Sequence, residues 1–294
     1  MKYVVLIWVA LVQMSCATQN SSPNEDRSMK DLIKNSQSVD INDKTINDIV
    51  DFTSYVDKHL ISEGVYQVNI NSNITFKNCI FKKPVIAYKR EENGNIVLTS
   101  FKGTISFIDC IFKEDVNFRG SSIYGRTDFT GSTFNLNANF EELNCHENAF
   151  FNKTIFEGPL RFQNAFFNQK ANFMNAGFFD SVSFQSSVFN AELQFSAAKF
   201  YKYADLTLID CRAKVLFNYA EFRDNAELSH SIFFQDFDFV STKNKTTNFD
   251  NCRFLGLARF DKTEVVSSLS FMESYFLLKT PEIEIPSQKL MVSK

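Results

Sequence analysis

Residues 162–200 read FQNAFFNQKANFMNAGFFDSVSFQSSVFNAELQFSAAKF, and the spacing of their aromatic side chains decides the fold. Phe162, Phe167, Phe173, Phe178, Phe184, Phe189, Phe195 and Phe200 follow one another at alternating steps of five and six residues. The register continues both ways. One series with a step of 11 runs from Phe107 to Phe239, and a second, offset by five, runs from Phe112 to Phe233. Of these 25 positions 20 are Phe; Ile123, Cys145, Leu206, Cys211 and Leu228 fill the others, so no polar residue enters either series. Two residues before many centres the side chain is small, as at Ala165, Ala171, Ala176 and Ala198.

The period excludes the commoner architectures. A heptad coil needs a 3.5-residue repeat, and an 11-residue helical repeat needs apolar steps of three and four. Long two-residue alternation, the mark of ordinary half-buried strands, is absent. A solenoid of short, cornered β segments satisfies the pattern: each centre and the residue two before it point inward, and the remaining residues form corners and outer surface. With two steps of 11 per turn, Phe129, Phe151, Phe173 and Phe195 lie above one another on one inner side, while Phe118, Phe140, Phe162 and Phe184 line the opposite side. Successive turns are expected about 4.8 Å apart, the spacing of hydrogen-bonded strands.

The units AlaAsnPheMetAsn at 171–175, AlaGlyPhePheAsp at 176–180 and AlaAspLeuThrLeu at 204–208 resemble the pentapeptide-repeat family. The resemblance implies an all-β fold, a right-handed quadrilateral β-helix with one repeat per side. Here every second unit carries one extra residue, giving about 22 residues per turn, and the resemblance covers residues 65–266. Polar runs at 89–94 and 240–248 interrupt the register and are expected to protrude as loops.

Both ends of such a coil expose unpaired backbone and need cover. Within residues 40–64, Ile46, Ile49, Val50, Tyr55, Val56 and Leu60 recur near a 3.6 period, with Asp43 as a possible cap and Gly64 as a stop, which predicts an N-terminal helical cap. Val265, Leu269, Met272 and Phe276 predict a helix at the other end, so 267–294 reads as a cap followed by a loose tail from Thr280.

Residues 1–15 read as an export signal: Lys2 precedes a ten-residue apolar run, Tyr3 to Val12. Ten helical residues rise about 15 Å, half of a bilayer core. Ser15-Cys16 followed by a polar stretch resembles a bacterial lipoprotein processing site, which implies lipidation of Cys16 and attachment to a membrane of the cell envelope. Residues 16–39 would then be a tether. An ordinary cleaved signal, hence secretion, and an uncleaved anchor are the alternatives.

Composition bounds the function. Lys+Arg of 31 against Asp+Glu of 34 leaves −3, and residues 104–260 carry 15 against 18, which argues against a nucleic-acid partner. Some cytoplasmic members of the resembled family imitate DNA and occupy the DNA site of a topoisomerase; the weak charge and the export signal both oppose that role here. Three His in the chain exclude a histidine-rich metal site, and no glycine-rich phosphate loop or HExxH is present, so no cofactor is expected. Sides of five or six residues leave no room for the long loops with which polysaccharide-cleaving β-helices build a groove. Glu141 and Glu142 read as solvated corner charges. His146 and His230 have no evident nucleophile arrangement.

The expectation is therefore a non-catalytic scaffold or protein-interaction module, with a glycan-binding or glycan-processing β-helix as the competing class. Cys79, Cys110, Cys145, Cys211 and Cys252 read as buried thiols; Cys145 and Cys211 fall three turns apart, about 14 Å, where a disulfide needs Cα atoms within about 7 Å. Phe179, Tyr201 and Arg223 each follow an inward centre at intervals of 22, so they should meet on the outer surface, either as a local aromatic pair shielding a corner or as a small contact patch for a protein or glycan. PheLeuLeu at 276–278 suggests a homodimer through the C-terminal cap.

Overall fold

A computed structural model describes residues 28–292; the expected export signal, Cys16 and the start of the expected tether lie outside the described residues. The chain winds into a four-sided β-solenoid of about nine turns, with about 22 residues in a regular turn. On the first side, ten strands stack in one parallel sheet, from Ser38–Asn42 through Ala149–Phe150 and Ala171–Asn172 to Ala258–Arg259. The second side begins at Thr45–Ile46 and the third at Val50–Asp51; their strands share one sheet. The fourth runs from Val65–Ile70 to Tyr275–Phe276. The turns advance in strict register, Ala149 facing Ala171 and Ala171 facing Leu193.

The inner rings repeat with the backbone. Phe129, Phe151, Phe173, Phe195 and Phe217 stack with centroids 5.3, 5.0, 4.9 and 5.0 Å apart and nearly parallel planes. The column on the third side meets them edge-to-face: Phe151 and Phe162 cross at 82°, Phe173 and Phe184 at 81°. Offset stacks and T-shaped pairs are the two arrangements that ring quadrupoles favour. Beside the rings, small slots carry backbone bookkeeping. The Ser132 hydroxyl donates to Phe107 O (2.7 Å) and accepts from Cys110 N (2.9 Å); Ser187 does the same between Phe162 O (2.6 Å) and Ala165 N (3.2 Å).

The corner that closes each five-residue unit from Phe140 to Phe217 has a defined conformation. Two positions past the centre, Glu142, Lys153, Asn164, Asn175, Ser186, Ala197, Leu208 and Tyr219 all take φ between 57° and 62°. Each is the third residue of a four-residue turn, most of them closed by a backbone bond such as Ala165 N to Phe162 O and Ala176 N to Phe173 O, both 3.0 Å; after Leu208, Ile209 N donates to Ser231 Oγ at 3.2 Å instead. That is the type II turn, which demands a positive φ at this position.

Five sequence expectations need correction. Residues 40–64 are not a helix. Val39, Ile41, Ile46 and Val50 pair in parallel with Ile74, Phe76, Phe81 and Val85, so this stretch is the first turn of the solenoid. Its local 3.6 periodicity loses to the ladder partners offered by the next turn. Lys58–Ser62 then folds antiparallel onto Val65–Ile70, and Phe52 plugs the interior edge-on to Phe101 at 5.1 Å. The helix at this end is α1, Met29–Asn35, inside the expected tether; its Leu32 and Ile33 are buried, and the Ser72 hydroxyl lies 2.6 Å from the carbonyls of Ile33 and Ser36.

Residues 264–279 likewise add strands rather than a helix: Phe271 stacks on Phe249 and Phe276 on Phe254. The tail is held, because Leu290–Val292 pairs with Leu269–Phe271. The polar run 240–248 is no protruding loop either. It lacks one residue, the register shifts past Asn244, and Lys243–Asn248 stays in the sheet. Asn244 and Thr247 point inward and satisfy each other: Asn244 Nδ2 donates to Thr242 Oγ1 (3.0 Å), and Thr247 Oγ1 donates to Asn244 Oδ1 (3.2 Å). The run 89–94 does project, as the tip of a hairpin between Tyr88–Arg90 and Ile96–Leu98.

Two substitutions separate the core from the corners. Phe173→Ala should cost about 3–5 kcal/mol by removing a ring from both stacks, whereas Leu208→Asn should stabilise by about 1 kcal/mol, since Asn tolerates the left-handed corner. Urea unfolding midpoints measure both, and a Leu208→Asn chain less stable than the parent would contradict the corner argument.

Candidate functional site

The translation that stacks the core also stacks the outer surface, so residues one turn apart form columns. Phe179, Tyr201 and Arg223 come together in this way at the end of the second side. Backbone bonds fix their spacing, from Phe179 N to Phe156 O (2.8 Å) and from Tyr201 N to Phe178 O (2.9 Å). The Phe179 and Tyr201 rings stack at 4.3 Å and 12°, and the Arg223 guanidinium sits 4.3 Å from the other face of Tyr201. That guanidinium donates twice to one carboxylate oxygen, Glu221 Oε2, from Nε at 3.3 Å and from Nη2 at 3.0 Å. Phe179 is 43% exposed and leans over Gly177, where a Cβ would lie 3.0 Å from its ring. Beside this ledge, Lys199, Glu221, Lys243 and Glu264 face one another in alternating charge, an order that suits cross-strand pairs.

A second outer column had escaped the sequence reading. On the fourth side, Lys102 Nζ lies 4.1 Å over Tyr124, which stacks on His146 at 4.1 Å; Asn168 donates to His146 O, and Asn190 to Asn168 Oδ1. Its signal was present, because Tyr124, His146, Asn168 and Asn190 succeed one another by 22. His230 stands elsewhere, at a left-handed corner. Glu141 and Glu142 both engage Arg119, at 3.4 and 3.0 Å.

Carboxylates gather on the third side. Asp205 and Glu227 face each other on adjacent turns, with Asp250 near by. Burial first, and then the negative charges of Asp250 and Asp205, raise Glu227 above its ordinary value, against a hydrogen bond from Asn248 that lowers it. A shallow groove of about 200 Å³ lies alongside, lined by Arg161, Gln163, Tyr203 and Asp205. On the first side the buried Asp238 is matched by Lys214 at 2.9 Å and by Arg259, which also reaches Asp236 at 3.0 Å. Among the described residues no group of three or more His, Cys, Asp or Glu is placed to hold a metal ion. The five cysteines there are free and buried; burial pushes Cys145 and Cys252 up to about 12.

Residues 97–144 and 107–155 match a family model described as pentapeptide repeats (9 copies). The matched segment lies within the β-solenoid, and four sides, one short unit per side and inward aromatic centres continue the same pattern well beyond it. A search of the curated proteins finds no match.

The carboxylate pair has a pH signature. A raised folded-state value means that the stability gained from neutral Glu227 is complete below the ordinary carboxylate range and is lost as pH rises through the raised value. Glu227→Gln should therefore melt above the parent at pH 7, and the difference should vanish near pH of about 4. Equal melting temperatures at pH 7 would show that Glu227 is unstrained.

Proposed function

We propose that the protein is an exported, lipid-anchored, non-catalytic rod that presents the Phe179–Tyr201–Arg223 ledge to a protein partner in the cell envelope. The observation carrying this reading is the ledge itself: an aromatic pair, partly exposed and rigidly spaced, continued by an arginine and flanked by a row of alternating charges. Both faces of Tyr201 are occupied, one by Phe179 and one by Arg223, so a sugar ring has no open face of it to stack on. Ring edges and a guanidinium suit a protein surface, where Tyr and Arg are favoured anchors.

The anchoring part of the proposal rests on Lys2, the apolar run and Cys16, since among the described residues no helix is long and apolar enough to cross a membrane. Secretion is the alternative outcome. The charge pairs leave no phosphate-like stripe, which counts against DNA imitation and a nucleic-acid partner. A glycan-binding reading keeps one supporting feature, the groove beside Tyr203 and Asp205. Self-association is proposed at the C-terminal end, where Tyr275, Leu277 and Leu278 are exposed around the last fourth-side strand.

Two experiments test the reading. Cys16→Ala should move the chain from the detergent phase to the aqueous phase, and unchanged partitioning would remove the lipid anchor. In affinity capture from native envelopes, Phe179→Ser with Tyr201→Ser should lose the specific protein partner while circular dichroism and solution mass match the parent. Retention of the partner, or its loss only with Tyr203→Ser, would move the site away from the ledge.

A further inference from the structure

The insertion that makes the 89–94 hairpin also hides a relationship between two cysteines. Cys79 and Cys110 are 31 residues apart, a spacing that belongs to no multiple of the regular turn. The structure nevertheless sets them in the same slot of successive turns, because Ile80 pairs with Ile111 and Phe81 with Phe112 immediately after them. Facing positions of neighbouring strands lie about 4.8 Å apart, within the Cα separation of about 4.4–6.8 Å that a disulfide spans. Both thiols are free and fully buried, on the inward side of the coil. Each thiol donates to backbone carbonyls, Cys79 to Lys77 O (3.3 Å) and Cys110 to Ile108 O (3.4 Å), and the proximity of the two sulfurs brings Cys79 down and pushes Cys110 up. Higher in the same slot stand Ser132, Thr154 and Ala176, so no third sulfur competes; Cys145 and Cys211 sit on the fourth side, three turns apart.

We propose that Cys79 and Cys110 form a latent disulfide, closed by exchange with a small-molecule or protein disulfide donor, that covalently joins the second and third turns. In the first step the Cys79 thiolate attacks the donor S–S bond, forming a mixed disulfide and releasing one donor thiol. Cys110 then gives up its proton and attacks Cys79 Sγ, releasing the second donor thiol. Two S–H groups become one S–S bond, and the donor takes up the two electrons and two protons. Access comes from the end of the coil: above Cys79 toward the N-terminus only the first turn intervenes, held there by Ile80 N to Lys44 O at 2.9 Å. Terminal turns of a repeat array open more readily than its middle. The closed bond would encircle the Tyr88–Leu98 hairpin and lock the end where the tether joins. It rests on the cysteine register alone and is independent of the contact ledge.

The test uses the full-length Cys16→Ser chain, equilibrated with oxidised glutathione in sub-denaturing urea, which opens the terminal turn. Free thiols are then blocked and peptides mapped by mass spectrometry. The expected result is a linked Cys79–Cys110 peptide lighter by two hydrogens, with Cys145, Cys211 and Cys252 all blocked as thiols. The oxidised chain should melt more than about 5 °C above the reduced one. Cys79→Ala and Cys110→Ala, small enough for a slot that elsewhere holds Ser and Ala, should fold by circular dichroism and lose that gain. Blocking groups on both Cys79 and Cys110, glutathione retained on either without a bridge, or pairing with another cysteine would overturn the proposal.

Discussion

The structure depends on a match between two lengths. Parallel strands repeat about every 4.8 Å, and flat aromatic rings in offset stacks repeat at much the same distance. Because Phe129, Phe151, Phe173, Phe195 and Phe217 keep centroids near the strand spacing, each ring fills its own turn and touches the next without a gap. The edge-to-face contacts with Phe140, Phe162 and Phe184 then close the interior laterally. A branched aliphatic chain would fill similar volume but would not tile along the axis with a flat face. Loss of the rhythm is tolerated where another chemistry fills the slot, as Asn244 and Thr247 do with their mutual hydrogen bond.

The same translation that repeats the core also writes the surface. In the regular turns an outward residue meets the residue 22 further on, so ion pairs, amide ladders and aromatic stacks appear as columns rather than as patches gathered from distant loops. Phe179 over Tyr201, Tyr124 over His146, and Lys170 beside Glu192 are three chemical versions of one geometric rule. A regular solenoid therefore has little means of enclosing a substrate. It has ample means of presenting a spaced row of side chains, the geometry on which the proposed contact at the ledge rests.

Much of this was legible in the residues. The alternation of five and six placed the Phe columns and the neighbours of Phe179 without coordinates, because a fixed period converts sequence distance into spatial distance. It failed where that conversion changes. The terminal stretches 40–64 and 264–279 have apolar spacings compatible with a helix, and nothing local reports that a strand of the adjoining turn is waiting to pair with Val39 or Leu269. The polar run 240–248 misleads for another reason: Asn244 keeps the inward register position opposite Phe222, and its partners Thr242 and Thr247 lie two and three residues away in the same run. Lys102 over Tyr124 shows the opposite case, a contact on the regular period that was readable and passed over.

The sequence by itself determined the repeat, the inward centres and the composition of the core, since these follow from periodicity and from the burial of apolar side chains. The tertiary structure alone decided where the coil begins and ends, how the short unit at 240–248 is absorbed, and which cysteines meet. Those outcomes rest on pairing between turns, in which the energy lies in backbone ladders and ring contacts across gaps of variable length. Cys79 and Cys110 make the point most directly: 31 residues separate them along the chain, and one turn separates them in space.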